Sequence, residues 1–169
     1  VVTFTIENSD YHQGNLYCSG GTSDCVSTGD HKATQFYVYK EHPIEDGYVI
    51  RNNELIVLQP VNAAEKWLDC WHTHQDCGYE FARDPSDFAN GEEWTNAMEQ
   101  HFRIKPSGNS SLTQTGDLVH LIYVESEGSA TCIRTSDQPQ EDLDKVYWDG
   151  EGDHCTYDHN TKWRITLLD

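Results

Sequence analysis

Hydrophobic and polar residues alternate with a period of two in several short stretches of this chain: TFTI, QFYVYK, YVIRNNELIVLQ, HFRIK, LVHLIYV and WRITLL. Each is rich in β-branched and aromatic residues, which suit a pleated, half-buried surface, so each predicts a strand. Clusters of Gly, Asn, Asp and Ser lie between them (NSDYHQGN, SGGTSD, IRNNEL, SGNSS, SEGSA, WDGEGD) and predict turns. One segment, DPSDFANGEEWTNAMEQ, has room for a helical turn or two, started by Asp84-Pro85 or Ser86. The pattern predicts an all-β protein.

Three of the strands share one ending. TQFYVYKEH, EQHFRIKPS and NTKWRITLLD each place a polar pair before an aromatic, a spacer and a β-branched residue. With Phe36, Phe102 and Trp163 aligned, each aromatic has two cysteines upstream: Cys18 and Cys25, Cys70 and Cys77, Cys132 and Cys155. The chain therefore reads as three copies of one supersecondary unit, roughly 1–43, 44–110 and 111–169, within a single domain. The simplest pairing puts one local disulfide in each unit: Cys18–Cys25, Cys70–Cys77 and Cys132–Cys155. The second unit is lengthened between Cys77 and Phe102, the third inside its presumed disulfide loop. Long insertions on a compact all-β frame belong on the surface, where function often sits.

Composition narrows the function classes. The chain has 169 residues, 29 Asp+Glu against 11 Lys+Arg, and a formal net charge of -18. Such a charge repels phosphate backbones and anionic membranes, so no nucleic-acid partner is expected. No apolar run approaches the ~20 residues of a membrane-spanning helix. Six cysteines in a small polar domain suit an oxidising compartment, and the two-to-four-residue ligand spacing of zinc sites is missing. The chain begins without Met or a basic-then-apolar leader, as a mature secreted protein would, so an extracellular location is expected. Asn109, in the only N-x-[ST] sequon, is the expected glycosylation site.

Three four-stranded units, each closing on an aromatic–x–aliphatic strand, resemble a β-trefoil. PVNAAEKWLDCW resembles a ricin-B-type lectin repeat, and TGDLVHLIYVESEGSATCI resembles a MIR-type repeat. The resemblance implies six strands in a short barrel capped by three hairpins, and a binding rather than catalytic function. Ricin-type repeats close on Gln–x–Trp, whereas this chain has Thr34-Gln35-Phe36, Gln100-His101-Phe102 and Thr161-Lys162-Trp163. The resemblance therefore does not carry over a galactose-type site.

The residues themselves offer three chemistries. No G-x-S-x-G elbow, H-E-x-x-H helix or phosphate loop is present, so no enzyme is expected. In CWHTHQDC, His72, His74 and Asp76 share one face if the segment is extended, and His154 could add a ligand, which suits Zn²⁺ or Cu²⁺. The alternating carboxylates of DGEGD resemble part of a Ca²⁺ loop without the later Glu. For a sugar, Asp69 and Trp71 in the second unit and Trp148 and Asp149 in the third pair an indole with a carboxylate, the two halves of a sugar site. Trp163 is expected in the core, while Trp67, Trp71, Trp94 and Trp148 read equally as secondary core or as stacking platforms. The expectation is a secreted binding protein that takes carbohydrate or a glycoprotein. The alternatives are a trefoil recognising protein through its loops, as an inhibitor, toxin or matrix protein does, and an extracellular metal- or pigment-binding protein.

Overall fold

A computed structural model describes residues 1–6, 14–18, 25–28, 30–40, 50–63, 65–70, 77–81, 101–106, 108, 111–124, 130–135, 146–148 and 162–168. They form twelve strands: β1 Val2–Ile6, β2 Gly14–Cys18, β3 Cys25–Thr28, β4 Phe36–Lys40, β5 Leu55–Pro60, β6 Lys66–Cys70, β7 Cys77–Phe81, β8 Phe102–Pro106, β9 Leu118–Val124, β10 Ala130–Thr135, β11 Val146–Trp148 and β12 Lys162–Leu167. The helical turn expected around Asp84–Ser86 lies outside the described residues.

Six strands close a ring by antiparallel pairing in the order β1, β4, β5, β8, β9, β12 and back to β1. The remaining six form the hairpins β2–β3, β6–β7 and β10–β11. The last strands of these hairpins, β3, β7 and β11, touch one another. A closed barrel with a triangular hairpin cap is the β-trefoil, as the repeated strand endings led us to expect. Closure leaves the barrel no open edge to template aggregation.

The three closing aromatics set the register. Phe36, Phe102 and Trp163 pair within their own units with Val2, Ile56 and Val119. Across the next seam the same three face Pro60, Tyr123 and Ile6. Because side chains alternate across a strand, this register turns Phe4, Leu58 and Leu121 inward with them, and all six are fully buried in one core. The indole N–H of Trp163 donates to the Ile133 carbonyl at 2.9 Å, which satisfies a polar group that burial would otherwise strand.

The cap hairpins repeat less faithfully. Cys18 faces Cys25 and Cys70 faces Cys77 at the ends of their hairpins where the chain passes from one strand to the next, with Cα separations of 4.2 Å and 4.1 Å, and both pairs are disulfide-bonded. In the third unit the register corrects the sequence alignment. Cys132 lies opposite Ile122, the counterpart of Thr5, which faces Asn15. The counterpart of Cys18 is thus Thr135, which faces Val146 where the first two units carry their bridges. Cys132 is disulfide-bonded nonetheless, and Cys155, the cysteine left for it, lies outside the described residues. The sequence alignment slipped because it matched residue type, while strand register obeys the inward face.

Two turns lock the lower barrel in the same way. In Arg51-Asn52-Asn53-Glu54 and Gln114-Thr115-Gly116-Asp117, the last carboxylate accepts from the first N–H, at 3.0 Å and 2.7 Å. Asn53 and Gly116 occupy the left-handed region, φ 65° and 92°, which these residue types tolerate best. Their N–H groups donate to the Ile104 and Ile165 carbonyls. Their own carbonyls accept from the guanidinium groups of Arg103 and Arg164.

Candidate functional site

The outer face of β4 and β5 is the aromatic surface of the described residues. In FYVYK the alternation that buries Phe36 turns Tyr37 and Tyr39 outward, and they are 43% and 44% exposed. Across the strand pair Tyr37 faces Gln59 and Tyr39 faces Val57. The Tyr39 hydroxyl donates to Gln59 Oε1 at 2.9 Å, and its ring sits 6.5 Å from Tyr37 and 5.4 Å from Trp67. Trp67, 2% exposed, packs with Val57 and Leu55 in a small cluster separate from the barrel core. At the far end Lys40 Nζ lies 3.3 Å from Glu54 Oε1. The result is a pair of exposed rings on a rigid apolar support, bordered by an amide and an ion pair. Ring faces suit sugar C–H groups, and the polar border suits hydroxyls.

Among the sugar-site residues expected from sequence, Asp69 is 2% exposed on β6, opposite Gly78. Trp148 ends β11, opposite Ile133. Trp71, His72, His74, Asp76, Asp149, His154 and Asn109 lie outside the described residues. Residues 71–76 lie between β6 and β7 in the chain, and 149–161 between β11 and β12. Among the described residues no group of three or more His, Cys, Asp and Glu is placed to hold a metal ion. Nor is any helix among them long and apolar enough to cross a membrane.

The sequence reading missed Tyr37 and Tyr39, although the signal was present. A strand that turns Phe36 and Val38 toward the core has to present the two tyrosines on its other face. Trp67 resolves as packed support beneath one of them, and Trp163 as core.

No family model matches this chain, and no curated protein matches it. Solved structures do. The SDF2-like protein from Arabidopsis thaliana is similar with a TM-score of 0.63 and 13% identity, over 98% of this chain and 91% of that one. The botulinum neurotoxin serotype C1 binding domain is similar with a TM-score of 0.56 and 11% identity, over 99% of this chain and 43% of that one. At these identities the likeness shows the fold alone.

Proposed function

We propose that this protein is an extracellular carbohydrate-binding β-trefoil, non-enzymatic, whose described binding surface is the Tyr37–Tyr39 platform. The observation that carries the reading is the pair of exposed tyrosine rings held by Trp67 and by the Tyr39–Gln59 hydrogen bond. Exposed apolar rings cost free energy in water, and holding them rigid removes part of the entropy that a ligand would otherwise have to overcome. The disulfides support passage through an oxidising compartment. The fold shared with the neurotoxin binding domain supports a frame on which such a surface can be carried.

The indole–carboxylate pairs Trp71 with Asp69 and Trp148 with Asp149 are proposed as further sugar contacts, with Ca²⁺, Zn²⁺ or Cu²⁺ as candidate ions at His72, His74, Asp76 and His154. A neutral-glycan array, run with and without added Ca²⁺ and followed by titration of one hit, tests the reading. Tyr39→Ala is expected to weaken binding about tenfold or more, the scale of one lost aromatic contact. Trp71→Ala and Trp148→Ala test the second location. If no glycan binds, while a protein partner is retained in a manner sensitive to Tyr39→Ala, the platform is a protein-recognition surface and the loop-recognition alternative replaces this one.

A further inference from the structure

We propose that the outer face of β4 and β5 takes an internal stretch of a linear, neutral, β-linked polysaccharide, with one sugar on each tyrosine ring and a third beside Gln35 and Val61. The carbohydrate character of the ligand rests on the function proposed above, while its length and linkage rest on the shape of this face. Alternation along the two strands puts Tyr39 opposite Val57 and Tyr37 opposite Gln59. One rung further, Gln35 lies beside Val61, whose N–H donates to the Gln35 carbonyl at 2.9 Å. Gln35, Tyr37, Tyr39 and Val61 are all exposed. At ~3.4 Å per residue the face runs ~14 Å from Gln35 to Tyr39, well beyond one sugar ring.

The two rings suit two consecutive sugars. A phenol ring and a pyranose are both six-membered, so one ring covers one sugar, and the ring centroids lie 6.5 Å apart. The rings are tilted by 58° to each other. Sugars stacked on both must therefore turn relative to one another, as they do along a twisted single chain and do not in a flat crystalline sheet. A β-linked chain whose hydroxyls are equatorial shows C–H groups on its ring faces, which is what a row of phenol faces needs. Nothing on the face calls for a charged ligand. Lys40 Nζ is paired with Glu54 at 3.3 Å, and the three rungs are built from Tyr, Gln and Val. A net charge of -18 also disfavours an acidic chain.

Equivalent positions in the other units set this face apart. Arg103 and Arg164 follow the closing aromatics of units two and three as Tyr37 follows Phe36, and each gives its guanidinium to a turn carbonyl, of Asn53 and Gly116. No described hydrogen bond gives Tyr37 such a structural duty. Tyr39 corresponds to Lys105 and Thr166. Of the three closing strands, β4 alone carries a ring at both outward positions, so there the stacking surface is long enough for consecutive sugars. A face exposed as far as Gln35 and Val61 lets a chain continue past it, whereas a site for a terminal sugar closes around that sugar.

The test titrates the full chain with cello-, manno- and xylo-oligosaccharides from one sugar to six, and with malto-oligosaccharides of the same lengths as the α-linked control. For at least one β-linked series, affinity should rise about tenfold from one sugar to two, the scale of one added aromatic contact, rise again to three and then level off. Reducing the terminal sugar of the six-sugar chain to its alditol should leave its affinity unchanged, because binding runs through internal sugars. Tyr37→Ala should cut the advantage of the six-sugar chain over the single sugar about tenfold, and Tyr37→Phe, which keeps the ring, should retain it. Melting temperatures of both variants are measured beside the parent's, and a large drop in Tyr37→Ala would mark Tyr37 as packing and overturn the proposal. So would affinity independent of length, equal binding of the α-linked series, or an unchanged length dependence in Tyr37→Ala. Length-independent binding that depends on Tyr39 sinks this proposal and keeps the platform reading. No binding by any of the series also sinks it, while Tyr39-dependent binding of another neutral glycan on the array would still keep the platform.

Discussion

The seam between the first two units and the seam between the last two share a backbone and differ in almost everything on their outer sides. At the first, Phe36 faces Pro60 inside, while Tyr37 faces Gln59 and Tyr39 faces Val57 outside. At the second, Phe102 faces Tyr123 inside, while Arg103 faces Ile122 and Lys105 faces His120 outside. Register is identical because the inward residues fix it, and a slip of one would turn the whole apolar set into solvent. Outward residues carry no such constraint. One seam therefore became aromatic and the other basic without disturbing the barrel. The comparison teaches that this fold repeats its interior and diversifies its exterior, so binding sites are found by asking where equivalent outward positions disagree.

The interior half of that statement breaks first if the closing aromatics are unequal. Phe36→Ala, Phe102→Ala and Trp163→Ala should each cost about 3–5 kcal/mol, the range for large buried rings. Trp163→Ala should sit at the top, since it also strands the Ile133 carbonyl. Urea unfolding of the three variants checks this. A cost below about 1 kcal/mol at any one position would show that the repeated register does not reflect repeated packing.

The two resolved bridges extend the same test to the cap. Both span a sequence separation of 7, so loop entropy predicts about 2.5 kcal/mol for each when its cysteines become serine. Near-equal losses for Cys18→Ser/Cys25→Ser and Cys70→Ser/Cys77→Ser would place the first two units on one footing. Non-reducing peptide mapping is the direct check on Cys132, expected to join Cys155.

These two tests probe what was legible in the sequence. Phe36, Phe102 and Trp163 announced three units because a fully buried ring opposite two neighbouring strands tolerates few replacements. The cysteine count announced the bridges. The third-unit register was not legible, since Cys132 looked like Cys18 by type while Thr135 holds the equivalent place. The binding surfaces were legible only locally. Tyr37 and Tyr39 could be read from one strand, but the support under Tyr39 comes from Trp67, which is 28 positions away in a different hairpin. The Lys105–His120–Lys162 pairing across β8, β9 and β12 needs three strands in register, and no single stretch of sequence contains it. Asp69 is next but one to Trp71 in the sequence, and its burial on β6, 2% exposed, was not legible there.

The outer faces should also differ in how much they matter to the barrel. Arg103→Ala removes a charged hydrogen bond to the Asn53 carbonyl and should cost about 1.5–3 kcal/mol. Tyr37→Ala, at the equivalent strand position, should stay within about 0.5 kcal/mol because the ring is 43% exposed and the described bonds do not use it. Thermal melts of both variants sharpen the comparison. Equal losses would mean that Tyr37 is part of the packing rather than of a platform.

The smallest effect is the most diagnostic. Lys105→Gln removes an exposed cation from β8 whose cross-strand neighbour, His120, is buried. That change removes no described hydrogen bond, so stability should stay within about 0.5 kcal/mol of the parent at low salt and at about 1 M salt alike. Denaturation of parent and variant at both salt concentrations decides the matter. If Lys105→Gln instead destabilises the protein by about 1 kcal/mol or more at either salt, the lysine supports the barrel, and the two seams differ in decoration rather than in use.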